Sequence, residues 1–150
     1  MPVTIVYSIL SNKTITVPVF AWFIAQFLKV INVIVVERKL DFTRFIGSGG
    51  MPSSHSSFIV SLSTVVGKIN GVSSVEFGIS VAVAAIVMYD AAGVRRAAGK
   101  QAKVLNKLIF SQKEEDRKNF DENLKELIGH SPFEVFMGAL LGILMGLCFA

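Results

Sequence analysis

Three short runs of this chain gather residue types that can hold a phosphate-sized anion. The first, GSGGMPSSHSS at positions 47–57, joins Gly49 and Gly50 to Pro52, Ser53, Ser54 and His55 directly before an apolar stretch. Glycines leave backbone N–H groups exposed, a serine can cap a helix start, and the positive end of the helix dipole favours an anion. Such a turn can cradle a phosphate; the plainer reading is a capped helix start with an incidental histidine. The second run, YDAAGVRRAAGKQAKVLN at 89–106, closes an apolar stretch with Asp90 and continues through Arg95, Arg96 and Lys100. Arg96 and Lys100 share one helical face, where a guanidinium fork suits phosphate oxygens and a lysine adds a point charge. The cations alone also fit an anchor on lipid headgroups. Asp90 does not, because a carboxylate at a membrane boundary is costly unless paired, and Arg95 or Arg96 is its simplest partner.

The third run, ELIGHSPFEV at 126–135, sets His130 two residues before Pro132 and four before Glu134. Proline suits the first turn of a helix, so His130 stands at a helix start with Glu134 one turn in. A carboxylate so placed can hold one imidazole nitrogen and leave the other free to act; the alternative is a headgroup-level histidine beside a glutamate stabilised by the helix dipole. A fourth feature lies inside an apolar segment, where Trp22, Gln26 and Lys29 follow at spacings of four and three. Lys29 either snorkels to the surface or lines a pocket, and Gln26 on the same face, unable to snorkel as far, favours the pocket.

The elements that must position these runs are membrane helices. The chain of 150 residues is 52% apolar and only 17% charged, with a mean hydropathy of +0.59, which points to a single integral membrane domain rather than a water-soluble fold. A helix needs about 20 apolar residues to cross a bilayer, and four segments approach that: 15–36, 56–67, 75–93 and 132–149, the second short and ending in a turn between Gly67 and Gly71. The expected fold class is all-α, a polytopic bundle of about four hydrophobic segments. The run KEEDRKNFDENLKELI at 113–128 adds an amphipathic surface helix, with Phe120, Leu124, Leu127 and Ile128 on one face.

If all four segments cross, 37–55 and 93–131 share one side, and both histidines fall there. Of the fifteen Lys and Arg, twelve are on that side, Lys13 and Lys68 are on the other, and Lys29 is within the first segment. The positive-inside rule makes the twelve-cation side cytoplasmic, as in a protein of the plasma (inner) membrane. The net charge of +4 comes with no aromatic RNA-binding signature, so membrane lipids and anions, not nucleic acid, are the expected partners. The first ten residues lack the basic start and the cleavage site of a signal peptide, so the N-terminus is expected to stay attached and to lie at the interface. The single cysteine, Cys148, rules out an internal disulfide and a Cys-rich metal site, and no metal is expected. In the last segment Gly138, Gly142 and Gly146 recur every four residues, a pattern for close helix packing within the chain or for a homo-oligomer.

Taken together, AWFIAQFLKV, GGMPSSHS, YDAAGVRRAAGKQA and GHSPFEV resemble the divergent branch of the phosphatidic acid phosphatase type 2 superfamily, related to acid phosphatases and vanadium-dependent haloperoxidases. The wider superfamily carries Lys, six residues, Arg-Pro; then Pro-Ser-Gly-His; then Ser-Arg, five residues, His, three residues, Asp. Pro52-Ser53-Ser54-His55 is similar to the middle part with Ser54 for glycine, and His130 with Glu134 to the end of the last part with glutamate for aspartate. Leu124 stands where the last arginine is expected, so Arg95 or Arg96 would replace it. No Arg-Pro occurs, leaving Lys29, Lys39 and Arg44 as substitutes. The resemblance implies metal-free, cofactor-free hydrolysis of a lipid phosphate or diphosphate, isoprenoid lipids included, through a phosphohistidine. His130 would be the nucleophile, Glu134 its orienting group and His55 the general acid. Ser53, Ser54, Arg95, Arg96, Lys29, Lys100 and the Gly49 and Gly50 amides would bind the phosphate, with Asp90 and Gln26 in support. The competing expectation is a lipid-phosphate or anion binding or transport protein that uses the same pocket without catalysis.

Overall fold

Residues 2–38, 50–110, 124 and 129–150 are described by the computed structural model. Gly49, Lys39, Arg44 and the expected amphipathic helix at 113–128, Leu124 apart, lie outside the described residues.

All regular structure among the described residues is α-helical: α1 (Pro2–Ser11), α2 (Lys13–Glu37), α3 (Ser54–Asn70), α4 (Val75–Ala92), α5 (Val94–Phe110) and α6 (Pro132–Phe149). Each start is written locally. Asn12 caps α2 by accepting from the Thr14 N–H, Ser53 caps α3 through Ser56, and Ser74 caps α4 through Phe77. At α6 the sequence Ser131-Pro132-Phe133-Glu134 forms a reciprocal capping box: Glu134 N–H donates to Ser131 Oγ at 3.3 Å, and Ser131 N–H donates to Glu134 Oε2 at 2.7 Å. α3 runs through Gly67 and ends at Gly71, whose φ of +87° lies in the region glycine adopts most readily. Gly67 is a packing position, where a Cβ would stand 2.8 Å from the Phe77 ring.

Lys13–Val35 and Pro132–Phe149 are long and apolar enough to cross a membrane, and a third such stretch runs over Val75–Ile109. At 1.5 Å per residue its 35 residues would extend about 52 Å, well beyond a hydrocarbon core of about 30 Å. The chain departs from helical geometry at Gly93 (φ −103°, ψ −84°), which separates apolar α4 from basic α5. α3, at 17 residues, is about 26 Å long and is the central element, packed against α2, α4 and α6. Five of its seven buried residues are serines.

Polarity is inverted relative to a soluble bundle. Gln26, Lys29, Ser54, Ser56, Ser57 and Ser61 are buried, while Phe23, Ile79, Ile86, Phe136 and Leu147 are exposed. This is the arrangement expected when lipid surrounds the bundle and polar side chains find partners only inside it.

α3 and α6 run parallel in direct backbone contact. A Cβ on Gly138 would lie 2.3 Å from the Ser53 carbonyl oxygen, one on Gly142 2.6 Å from that of Ser57, and one on Gly146 2.5 Å from Thr64 Cβ. The glycine stripe therefore serves packing within the chain; α3 covers it, and it offers no free face to the homo-oligomer that the spacing also allowed. The far end is closed by two lysines on α6 carbonyls, Lys68 Nζ donating to Leu147 O at 3.0 Å and Lys13 Nζ to Ala150 O at 3.1 Å. The starts of α3, α5 and α6 meet at the opposite end.

Candidate functional site

Lys29 determines the depth of the site. It sits eight residues, about 12 Å, before the end of α2, and its side chain is 1% exposed. Its ammonium does not reach outward; Nζ donates to Ser54 Oγ at 3.1 Å in the first turn of α3. Gly50, at a φ of +89°, passes beside the lysine stem, where a Cβ would make only ordinary contact with Lys29 Cγ at 4.0 Å. Asn32, one turn further along α2, donates to the Met51 carbonyl at 3.4 Å and ties the same loop to α2. Gln26, one turn earlier, is also buried.

The starts of α3 and α6 are joined through main chain: Ser53 N–H donates to the Glu134 carbonyl at 3.0 Å. Ser53 Oγ accepts from the Ser56 N–H and hydroxyl, so this serine is occupied as a cap. His130 is held in turn by α4 and α5. Its N–H donates to the Ala91 carbonyl at 3.0 Å, and the preceding Gly129 lies so close that a Cβ would stand 2.3 Å from Arg96 N and Cα. Glycine is required at 129 for this approach.

The His130 side chain is 3% exposed. Nδ1 faces Glu134 Oε2 at 3.5 Å, while the same oxygen takes the Ser131 N–H at the shorter 2.7 Å. The carboxylate thus hydrogen-bonds the helix cap and only faces the imidazole, whose buried Nδ1 makes no hydrogen bond among the described residues. Burial, and next the Lys29 charge, push the His130 pKa below its ordinary 6.5, and the Glu134 carboxylate opposes them. At neutral pH the imidazole is therefore uncharged and retains a nitrogen lone pair.

His55, next to Ser54 in the first turn of α3, is exposed. It borders an apolar cavity of about 450 Å³ lined by Val19, Trp22, Phe58, Ile59 and Val87. A second cavity, of about 300 Å³, lies towards α6 and includes Leu28, Asn32, Pro52, Met137 and Leu141 in its lining. Two apolar spaces thus flank the polar cluster.

A family model described as the Divergent PAP2 family matches residues 10–145. The chain belongs to that family. It is 43% identical over 152 residues to the uncharacterized membrane protein YuiD of Bacillus subtilis (strain 168), covering 95% of this chain and 96% of the relative. No solved structure matches it.

In this divergent PAP2 protein Lys29, Gly50, Ser53, Ser54, His130 and Glu134 converge at one bundle end, with His55 at the cavity rim. Asp90 pairs with Arg95, Oδ2 to Nε at 2.6 Å, in a half-exposed ion pair. Arg96 meets the cluster through its backbone and keeps an exposed side chain; Lys100 is exposed one turn further along α5. Sequence reasoning passed over Asn32 and the α3 serines beyond Ser54. The signal was present for the serines: Ser53, Ser57 and Ser61 repeat every four residues, in register with Gly138, Gly142 and Gly146.

Proposed function

We propose that this divergent PAP2 protein hydrolyses the phosphate or diphosphate of a membrane lipid through a phosphohistidine on His130. The observation that carries the reading is Lys29. A buried ammonium has three donors and is costly unless they are matched, yet its one hydrogen-bond partner among the described residues is the neutral Ser54 hydroxyl, and the Glu134 carboxylate acts on it only through its field. A phosphoryl group beside Ser54 and Gly50 would complete it. The neutral His130 imidazole supplies a lone pair nearby, and the flanking apolar cavities suit a hydrocarbon tail.

In this reading His130 Nε2 attacks phosphorus and the bond from phosphorus to the leaving oxygen breaks. His55 gives that oxygen its proton. Water then attacks the phosphohistidine, His55 takes the water's proton, and the P–N bond breaks to release phosphate. Lys29 and the α3 N-terminal amides stabilise the charge on the phosphoryl oxygens. The positive-inside rule assigns this end to the cytoplasm, and the inner membrane is the proposed location.

A second reading keeps the anion pocket and drops the chemistry. Glu134 favours it, because Oε2 is engaged by the Ser131 N–H rather than held on the imidazole. Purified protein incubated with short- and long-chain lipid phosphates and diphosphates, without added metal, separates the two. Release of phosphate by wild type and its loss in His130→Ala and His55→Ala is the expected result. Equal release by wild type and His130→Ala ends the phosphohistidine proposal, and lipid-phosphate binding without release selects the second reading.

A further inference from the structure

α5 is the helix that the polar cluster leaves unexplained. It follows the break at Gly93 and packs, among the described helices, chiefly on α4. Its 17 residues divide into three sectors at 100° per residue. Gly99, Ala102 and Asn106 are buried and fall within roughly 60° of one another. Asn106 clasps the backbone of Leu124 there, donating to its carbonyl at 2.9 Å and accepting its N–H at 3.1 Å. Arg96, Lys100, Lys103 and Lys107 occupy a second sector of roughly 60°, and all four are exposed. Val94, Val104, Leu105 and Leu108 occupy the adjoining sector of roughly 100°, and each is between 48% and 60% exposed. Arg95 stands apart from the basic sector, paired with Asp90.

An apolar strip beside a cationic strip on one exposed helix surface matches the two layers of a membrane interface, acyl chains below and phosphate-bearing headgroups above. The chain reaches this helix directly from apolar α4, and continuing along the same line would carry five cations through the bilayer. We infer that α5 lies in the membrane interface and binds anionic lipid headgroups through Arg96, Lys100, Lys103 and Lys107, with Val94, Val104, Leu105 and Leu108 among the acyl chains. The occupant is anionic lipid of the bilayer that surrounds the protein, and the inference does not depend on the phosphatase reading. Its geometric consequence is that bound headgroups gather beside Gly129 and His130, since Arg96 touches Gly129 through its backbone.

The test uses the full chain in lipid nanodiscs containing equal phosphatidylglycerol and phosphatidylcholine. In a Cys148→Ser background, nitroxides are introduced by Leu105→Cys in one sample and by Lys103→Cys in another. The expected result is that the label at 105 collides several-fold more often with oxygen than with a water-soluble nickel chelate, and the label at 103 does the reverse. Native mass spectrometry then counts retained lipid. Phosphatidylglycerol is expected to be preferred, and the preference to fall about five-fold for each cation changed to glutamine, as about 1 kcal/mol per basic residue implies. A chelate-dominated signal at 105 overturns the placement. An unchanged lipid preference when all four cations are glutamine overturns the binding surface. The labels are read with the basic sector intact or short of one cation, so a misfolded four-site variant does not decide the outcome.

Discussion

Replacing Gly138 by alanine adds one methyl group to a surface where none fits. Its Cβ would stand 2.3 Å from the Ser53 carbonyl oxygen and 3.0 Å from Ser56 Cβ, and the nearer atom is backbone. Ordinary contact begins near 3.4 Å, so α3 and α6 must separate by about 1 Å against close packing, which costs roughly 2–3 kcal/mol, towards the upper end for overpacked cores. For a chain of this size that corresponds to a thermal midpoint lower by roughly 5–10 °C. Gly142→Ala meets the Ser57 carbonyl oxygen at 2.6 Å and falls in the same range. Gly146→Ala meets only side-chain atoms of Thr64 within 3 Å and costs less, about 1–2 kcal/mol. Gly78→Ala is the built-in contrast: this α4 glycine has nothing within 4 Å, so alanine stabilises the helix by up to about 1 kcal/mol. Midpoints measured for the four variants in one detergent should rank 138 and 142 lowest, then 146, then wild type, then 78. Indistinguishable midpoints for Gly138→Ala and Gly78→Ala would refute the claim that backbone contact holds these two helices together.

Three further outcomes follow from the polar groups. Ser54→Ala leaves the buried Lys29 ammonium without its hydroxyl partner and is expected to cost about 1–3 kcal/mol in the same melting assay, with Lys29→Met in the Ser54→Ala background recovering part of it. Asp90→Asn breaks an ion pair whose side chains are 36% and 48% exposed, so the loss stays below about 1 kcal/mol and disappears in high salt. His130 gives stability a pH dependence. Because its folded pKa lies below 6.5, the unfolded chain takes up the proton first as pH falls, and stability declines as pH drops below 6.5. Melting across pH 7.5 to 5 should show this slope in wild type and a flatter one in His130→Gln.

Much of the fold was legible because membrane helices announce themselves by composition and by local caps. Ser131-Pro132-Phe133-Glu134 specifies the start of α6 within four residues, and the structure adds only distances. α3 was harder to read. Its serines lower the hydropathy that marks a span, and they are buried because they face α2 and α6, which no local window contains. Ser57 Oγ, for example, donates to the Ala21 carbonyl at 3.3 Å. The glycine stripe left two partners open for the same reason: its spacing specifies a close approach but not which helix approaches. For Lys29 the neighbouring Gln26 favoured a pocket over snorkelling, but spacing alone named no partner. The partner follows from where α3 begins, level with residue 29, putting Ser54 within reach. Asp90 finds Arg95 across the Gly93 break rather than along one continuous helix, a geometry that spacing alone does not determine.

The serine-lined interior of α3 has a consequence for how the protein is made. Its neighbours α2, α4 and α6 are more apolar in composition, whereas five of the seven buried residues of α3 are serines. The insertion machinery meets the most polar helix second among the four packed at the centre, before α4 and α6 have emerged. α3 is therefore expected to enter the membrane as a dependent segment, paired with α2 and drawn in with α4 through the short turn at Gly71–Ser74. It is completed only when the glycine face of α6 arrives. The buried serines of α3 and the order of synthesis are coupled: a ribosome-bound chain truncated before residue 132 should hold α3 in a protease- and modification-accessible state that the full chain does not show.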